Sequence, residues 1–461
     1  MNLKMIFAAT ALAAMTMSSC SSDTPVDPTA NIARGETTYA TFNLSLKTTG
    51  SRANGDDNAD EREQTVNKMH LYIFGGGILE VDHAITDSYT FGNKVGPVQL
   101  TTGEKVVYAV AGDLKVNDAE FTATVESTRL SDFEKILFDA LADDIATADN
   151  FLMAGKEEVT VTKSTEQAPC QVSVSITRAA TKTQLKYGGE DGTVNVRPTI
   201  NAAFAEPKFA MMQCAETMWL TPGNYTQASK VNNSGTYKGY TTVPTTVAED
   251  LFCDAVNASD KNLDFNESLD NSLYTGEAYN AKPVTGNTTF ALVRLKATPS
   301  KICDSYDKNT KTYKYSGSLG SNGTFWVLAK NVAATGSFIF ASDNDYNILY
   351  FASQSKANTA KTALGLGTDW KVYEYTNGNV YYRVNLITDP SAAADGPDKY
   401  CALRNHFYKI TVTDIKALGA PNAPGVVPTD PDQPLESDAW LDATIDAEPW
   451  VAIDMDNTTL Q

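Results

Sequence analysis

Between Tyr39 and Lys47 the chain alternates without a break. Ala40, Phe42, Leu44 and Leu46 fall on one face, and Thr41, Asn43, Ser45 and Lys47 on the other. A period of two sends successive side chains to opposite sides of a strand, so the spacing predicts a half-buried strand here. It runs into TTGSRANGDDNADERE (residues 48–63), polar, charged and without periodicity, which reads as an exposed loop. Further strands are expected at Lys68–Phe74, stopped by Gly75–Gly77, at Lys105–Gly112, and at 170–176, where Val172, Val174 and Ile176 alternate with polar residues.

The clearest helical pattern lies in LSDFEKILFDALADDIA (residues 130–146). Phe133, Ile136, Leu137, Ala140, Leu141 and Ile145 follow helical spacing, and Ser131 with Glu134 reads as a capping box. From there to about residue 420 the pattern returns to strands and turns: KFAMMQC, TFALVRLKATP, GTFWVLA, SFIFAS, NILYFAS, NVYYRVNLI and HFYKITVTDIKAL. Their irregular spacing and long loops suit β-sandwich domains rather than a propeller, and no repeat period is present.

A Pro/Asp-rich stretch, Gly419–Asp438, reads as an extended, semi-rigid linker. Beyond it alternation resumes at Leu441, Ala443, Ile445 and Ala447. Pro449–Trp450 interrupts it, and Val451, Ile453 and Met455 take it up again. A strand tethered behind a linker is suited to pairing with a sheet elsewhere, including that of another molecule.

At the other end, Lys4 precedes an apolar run, Ile6–Met15, too short to span a bilayer, and Ser18 and Ser19 stand just before Cys20. This is the shape of a lipoprotein signal cut before Cys20, whose thiol would carry lipid. A polar tether follows over residues 21–37. The 37 basic and 56 acidic residues give a net charge of −19, which argues against a nucleic-acid partner, since affinity for nucleic acid rests largely on neutralising phosphates. Cys170, Cys214, Cys253, Cys303 and Cys401 are odd in number and lack zinc-knuckle or C-x-x-C spacing. They read as small apolar fillers, with one disulfide possible.

Catalytic patterns do not emerge. Histidine occurs only at His70, His83 and His406, and no H-E-x-x-H, G-x-S-x-G or P-loop pattern occurs. The oxygen-rich stretches NGDDNADE and SDNDYN lack EF-hand order, so no metal, cofactor or catalytic residue is expected. Trp219, Trp326 and Trp370 would be available for stacking on sugars if exposed, although core or interface packing is the ordinary role of tryptophan.

Taken in order, the cysteine at position 20, the strand before SRANGDDN, LYIF, VVYAVAG, FLMAGK, ITRAATKTQ, GNTTFALVRLKATP, RNHFYKITVTDIKALG, VPTDPDQP and the terminal EPW strand resemble the Bacteroidales fimbrillins of type V pili, the Mfa type among them. The likeness covers nearly the whole chain. It implies a mainly β protein of two transthyretin-like β-sandwich domains, with a short helical insertion in the first and a detachable C-terminal donor strand.

The implied layout is a lipoprotein signal peptide (1–19), a propeptide with the first strand (20–52), an N-terminal sandwich (53–185), a C-terminal sandwich (186–428), and a linker with the donor strand (429–461). The resemblance further implies lipidation at Cys20, export to the outer membrane, and cutting by an arginine-specific protease. Arg52, followed by Ala53, matches the family's cleavage position. The strand bearing Ala40, Phe42, Leu44 and Leu46 would then be displaced, and a neighbour's Leu441, Ala443 and Ile445, or Trp450, Val451 and Ile453, would fill its groove. The expected role is a structural, non-enzymatic fimbrial shaft subunit on the cell surface that supports adhesion and biofilm formation. Its partners would be copies of itself, accessory and anchor subunits, and host or bacterial surface receptors. The competing reading is a surface glycan-binding β-sandwich lipoprotein using exposed tryptophans.

Overall fold

The computed structural model describes residues 35–449 apart from 48–62, 64–65, 118, 140–144, 148–149, 190, 221–242, 244–245, 258–270, 280–281, 333–336, 394–395, 397, 427–431 and 436–440. The chain is mainly β, organised around two large apolar cores.

The first core is enclosed by a seven-stranded sheet. Its strands include β1 (Thr37–Leu46), β2 (Met69–Gly75), β3 (Ile78–Ile85), β4 (Lys94–Thr101) and β5 (Gly103–Ala111). The spatial order is β3, β2, β5, Met153–Val161, Cys170–Arg178, β1, β4. β1, β2, β5 and Cys170–Arg178 match the strands expected from alternation or apolar runs, whereas β3, β4 and Met153–Val161 are not among them; β4 shows why. There Gly96 and Pro97 interrupt a pattern whose Val95, Val98 and Leu100 nevertheless reach the core.

The second core lies among three sheets. Ala180–Tyr187 pairs in parallel with His406–Ile415. Ala202–Met212 pairs with Phe290–Pro299, which pairs in turn with Asn379–Asn385. Phe325–Val332 carries Ser337–Phe340 on one edge and Trp370–Tyr375 on the other. The chain passes from the first sheet to the second at Ala179, so the boundary expected at 185/186 runs through the strand Ala180–Tyr187. Met218, Leu220 and Phe407, all beyond Ala179 in the chain, complete the first core and join the two units.

The helix expected over 130–146 does not run through: it begins as one turn, Leu130–Phe133, gives way to a turn and a strand up to Asp139, and Ile145 is again helical. Arg129, not Ser131, stands at the N-cap of that first turn, and no side chain caps it. Glu134 accepts hydrogen bonds from the Tyr108 hydroxyl (3.2 Å) and Lys156 (2.9 Å), so the capping box does not form. Phe133 is drawn into an aromatic cluster, with its ring 4.8 Å from Tyr108 and 5.1 Å from Tyr72 and Phe74. Leu137–Asp139 becomes a strand against Thr217–Trp219. Tertiary packing overrides local propensity here.

A second helix, Gln354–Ala363, falls where only strands and turns were expected. Ser353 caps it by accepting from the Lys356 amide, and its buried face is Ala357 and Ala360 alone. So narrow an apolar stripe escapes a periodicity search.

Candidate assembly site

β1 is an internal strand. On one side it pairs in parallel with Cys170–Arg178, placing Ala40 opposite Cys170, Phe42 opposite Val172, Leu44 opposite Val174 and Leu46 opposite Ile176. On the other it runs antiparallel to β4, with a register shift between Ala40 and Phe42. Ala40 and Phe42 are fully buried, Leu44 is 1 % exposed, and Leu46 packs on the rim of the core. Burying each large side chain contributes about 1.5–3 kcal/mol before ordering costs.

Both ends of β1 are tied down. Thr38 is fully buried and donates from Oγ1 to the Thr162 carbonyl at 2.9 Å, while Ser164 Oγ donates to the Tyr39 carbonyl. At the far end the Lys47 amide donates to the Ile176 carbonyl at 2.8 Å, and Asn405 Nδ2 donates to the Lys47 carbonyl at 3.4 Å.

The C-terminal strand occupies a different position from the one expected. Leu441–Pro449 is not detached: it pairs antiparallel with His406–Ile415 of its own chain, with Ile445 opposite Ile410, Ala443 opposite Val412 and Ala447 opposite Tyr408. Leu441 is buried, and Ala443, Ile445 and Ala447 pack against the second core. His406–Ile415 is its only strand partner among the described residues. The predicted alternation is therefore present, but its apolar face is already covered within the subunit. Cys20, Arg52, Ala53, Trp450, Val451 and Ile453 lie outside the described residues.

Sequence reasoning missed a buried polar cluster between the two units. Lys182 Nζ lies 2.9 Å from Glu63 Oε1, with both side chains at most 1 % exposed, and the Tyr274 hydroxyl donates to the same carboxylate. Arg178 donates from Nε to the Glu63 carbonyl (3.0 Å) and from Nη1 to Asn405 Oδ1 (3.2 Å). Burial pushes Arg178 down to about 10, against the pull of Glu63 and Tyr274. The available signal was the cations of ITRAATKTQ, set in a stretch that is buried throughout from Ala179 to Leu185.

The remaining candidate chemistry is packing. His70 Nδ1 lies 2.8 Å from Asp82 Oδ1 and its ring stacks on Tyr72. Trp326 and Trp370 are partly buried against the small core that includes Leu328, Phe351, Ala357 and Ala360, and Trp219 is partly buried. Burial pushes the Cys303 thiol up to about 11 and the Cys214 thiol up to about 12.

The fold is thus mainly β, with β1 carrying a ladder on both edges and the C-terminal strand a ladder on one. A family profile described as major fimbrial subunit protein (FimA) matches residues 39–199, and one described as major fimbrial subunit protein type IV, fimbrillin, C-terminal, matches residues 373–456. Two proteins called minor fimbrium subunit Mfa1, both from Porphyromonas gingivalis, are 22 % and 23 % identical to this chain, covering 94 % of it and 90 % of each relative. The crystal structure of a fimbrilin from Porphyromonas gingivalis W83 superposes with a TM-score of 0.51 at 14 % identity, covering 90 % of this chain and 98 % of that one. The chain belongs to the fimbrillin family, among the Mfa-type fimbrillins of the Bacteroidales, and is a fimbrial structural subunit.

Proposed function

We propose that this protein is a fimbrial shaft subunit that polymerises by strand exchange. It is exported as a lipoprotein through Cys20, held at the outer membrane by that lipid, and cut between Arg52 and Ala53 by an arginine-specific protease. Cutting frees β1, and the Leu441–Pro449 strand of a second copy enters the vacated slot. Accessory and anchor subunits cap the polymer at its two ends, and the assembled fibre meets host or bacterial surface receptors.

The observation that carries this reading is the difference between the two strand positions. β1 has a ladder on both edges, whereas Leu441–Pro449 has a ladder on one. A strand that leaves the single-ladder site for the double-ladder slot gives up its burial on the second core and regains burial on the first. It also gains a second row of backbone hydrogen bonds, each worth about 0.5–1.5 kcal/mol net. Exchange is therefore favourable by pairing even if the buried apolar areas cancel. A slot left empty would expose unpaired backbone groups, a state that β-sheet edges ordinarily avoid.

The test is to truncate the chain after Pro434, nick it after Arg52, and follow polymer formation. The truncated protein should stay monomeric while supplying a slot for an intact second copy. SDS-resistant ladders from the truncated protein alone would rule out the C-terminal strand as donor.

A further inference from the structure

Among the described residues β4 has one strand partner, β1. At its Thr101 end β4 also comes close to β3, with no ladder between them, and side chains make the link there. Glu80, on β3, accepts a hydrogen bond from the backbone amide of Thr101 at the end of β4. Its second carboxylate oxygen lies 2.6 Å from Nζ of Lys105 on β5, which also donates to Thr101 Oγ1 at 2.8 Å. The Lys105 side chain is 4 % exposed and that of Glu80 11 %. A Cβ at Gly75 would run into both the Glu80 carboxylate and the Lys105 ammonium, so the absence of a side chain there makes room for the pair.

The start of β1 reaches the same corner. The Glu36 amide donates to Thr102 Oγ1 at 3.0 Å, and the Thr102 amide donates to the Glu36 carbonyl at 2.8 Å. With β1 present, the end of β4 is held by β1 and by the Glu80–Lys105 pair. Without β1 it loses its only ladder among the described residues; the chain still joins its end to β5 through Thr102, and the pair ties that corner to β3.

We propose that Glu80 and Lys105 are positioning residues that hold β4 in place while β1 is absent, keeping one wall of the slot standing for the incoming strand. This rests on the reading that β1 is removed. A buried ion pair is a poor source of net stability, but breaking one partner strands the other charge, which makes it an effective pin. Val95, Val98 and Leu100 of β4 still favour the core, and the pair fixes where along β3 the strand sits.

The experiment uses the full chain nicked after Arg52 by a site-specific protease, with both pieces kept. Capture of a fluorescent peptide of residues 35–47 is timed, and hydrogen exchange is followed across residues 95–100 in nicked and intact protein. Wild type is compared with Glu80→Gln, Glu80→Ala and the double variant Glu80→Gln/Lys105→Gln. Glu80→Gln keeps an acceptor for the Thr101 amide but removes the counter-charge of Lys105. Capture should slow about tenfold in Glu80→Ala, the scale of one charged hydrogen bond, less in Glu80→Gln, and recover in the double variant.

Residues 95–100 should lose protection in the nicked single variants and keep it in the intact ones. Equal capture and equal protection in all four proteins would overturn the proposal. If Glu80→Ala fails to fold, Glu80→Gln and its rescue carry the test. Should the nicked wild type capture peptide yet form no polymer with fresh chains, the assembly reading fails and the positioning role stands.

Discussion

Phe42 lies opposite Val172 across the parallel pair and opposite Val95 across the antiparallel pair, fully buried between them. One side chain thus bridges the two strands that flank β1. Phe42→Ala in the intact chain should cost about 3–5 kcal/mol of stability, as large-to-small core substitutions do. Denaturant unfolding of the first unit measures it, and a cost below about 1 kcal/mol would mean that the slot closes around the gap.

Leu441→Asp and Ile445→Asp should each block polymerisation of the nicked protein, because the slot holds fully buried positions such as those of Ala40 and Phe42, where a charge costs more than at the partly buried place Ile445 now holds. Paired substitutions at Val451 and Ile453 show whether the second half of the tail also inserts. Filaments of normal length from Leu441→Asp/Ile445→Asp would assign the donor role to the later segment.

Processing gives a direct readout. Filament subunits should begin at Ala53, Arg52→Ala should accumulate as unprocessed precursor, and Cys20→Ala should take up no labelled palmitate. N-terminal sequencing and fatty-acid labelling check these, and a filament subunit that begins at Cys20 would exclude removal of β1.

Glu63 and Lys182 form the buried pair between the two units. Lys182→Met leaves the Glu63 carboxylate without its cation, so it should destabilise the chain by about 3–5 kcal/mol, whereas Lys182→Met/Glu63→Gln should recover most of that loss. Thermal melts of the three proteins decide it, and equal melting temperatures would remove the cluster from any account of how the units are joined.

Hydrogen bonds from Arg294 and Lys208 hold the Glu249 carboxyl down to about 2. A lowered carboxyl pKa means stability present above the unfolded value near 4.5 and lost as pH falls towards 2. The Glu249 side chain is 64 % exposed, so screening limits the contribution to under about 1 kcal/mol. Glu249→Gln should cost that much at pH 7, and the gap from wild type should shrink between pH 4.5 and 2 in pH-dependent melts. A gap unchanged at pH 2 would assign the effect to packing of Arg294 on Phe252.

The sequence by itself determined which residues of β1 face inward, because Ala40, Phe42 and Leu44 alternate with polar neighbours and a strand has only two faces. It determined the same for Leu441, Ala443 and Ile445, since alternation reports burial. Alternation says nothing of the partner that provides that burial. Only the tertiary structure placed the C-terminal strand on His406–Ile415 of its own chain and set β1 between two ladders. It also interrupted the helix expected over 130–146 after Phe133, whose ring joins an aromatic cluster, and it brought Glu63 to Lys182 and Glu80 to Lys105. Those pairings join residues far apart in the chain, and their energies arise from desolvation and geometry that come into being only when the sheets close.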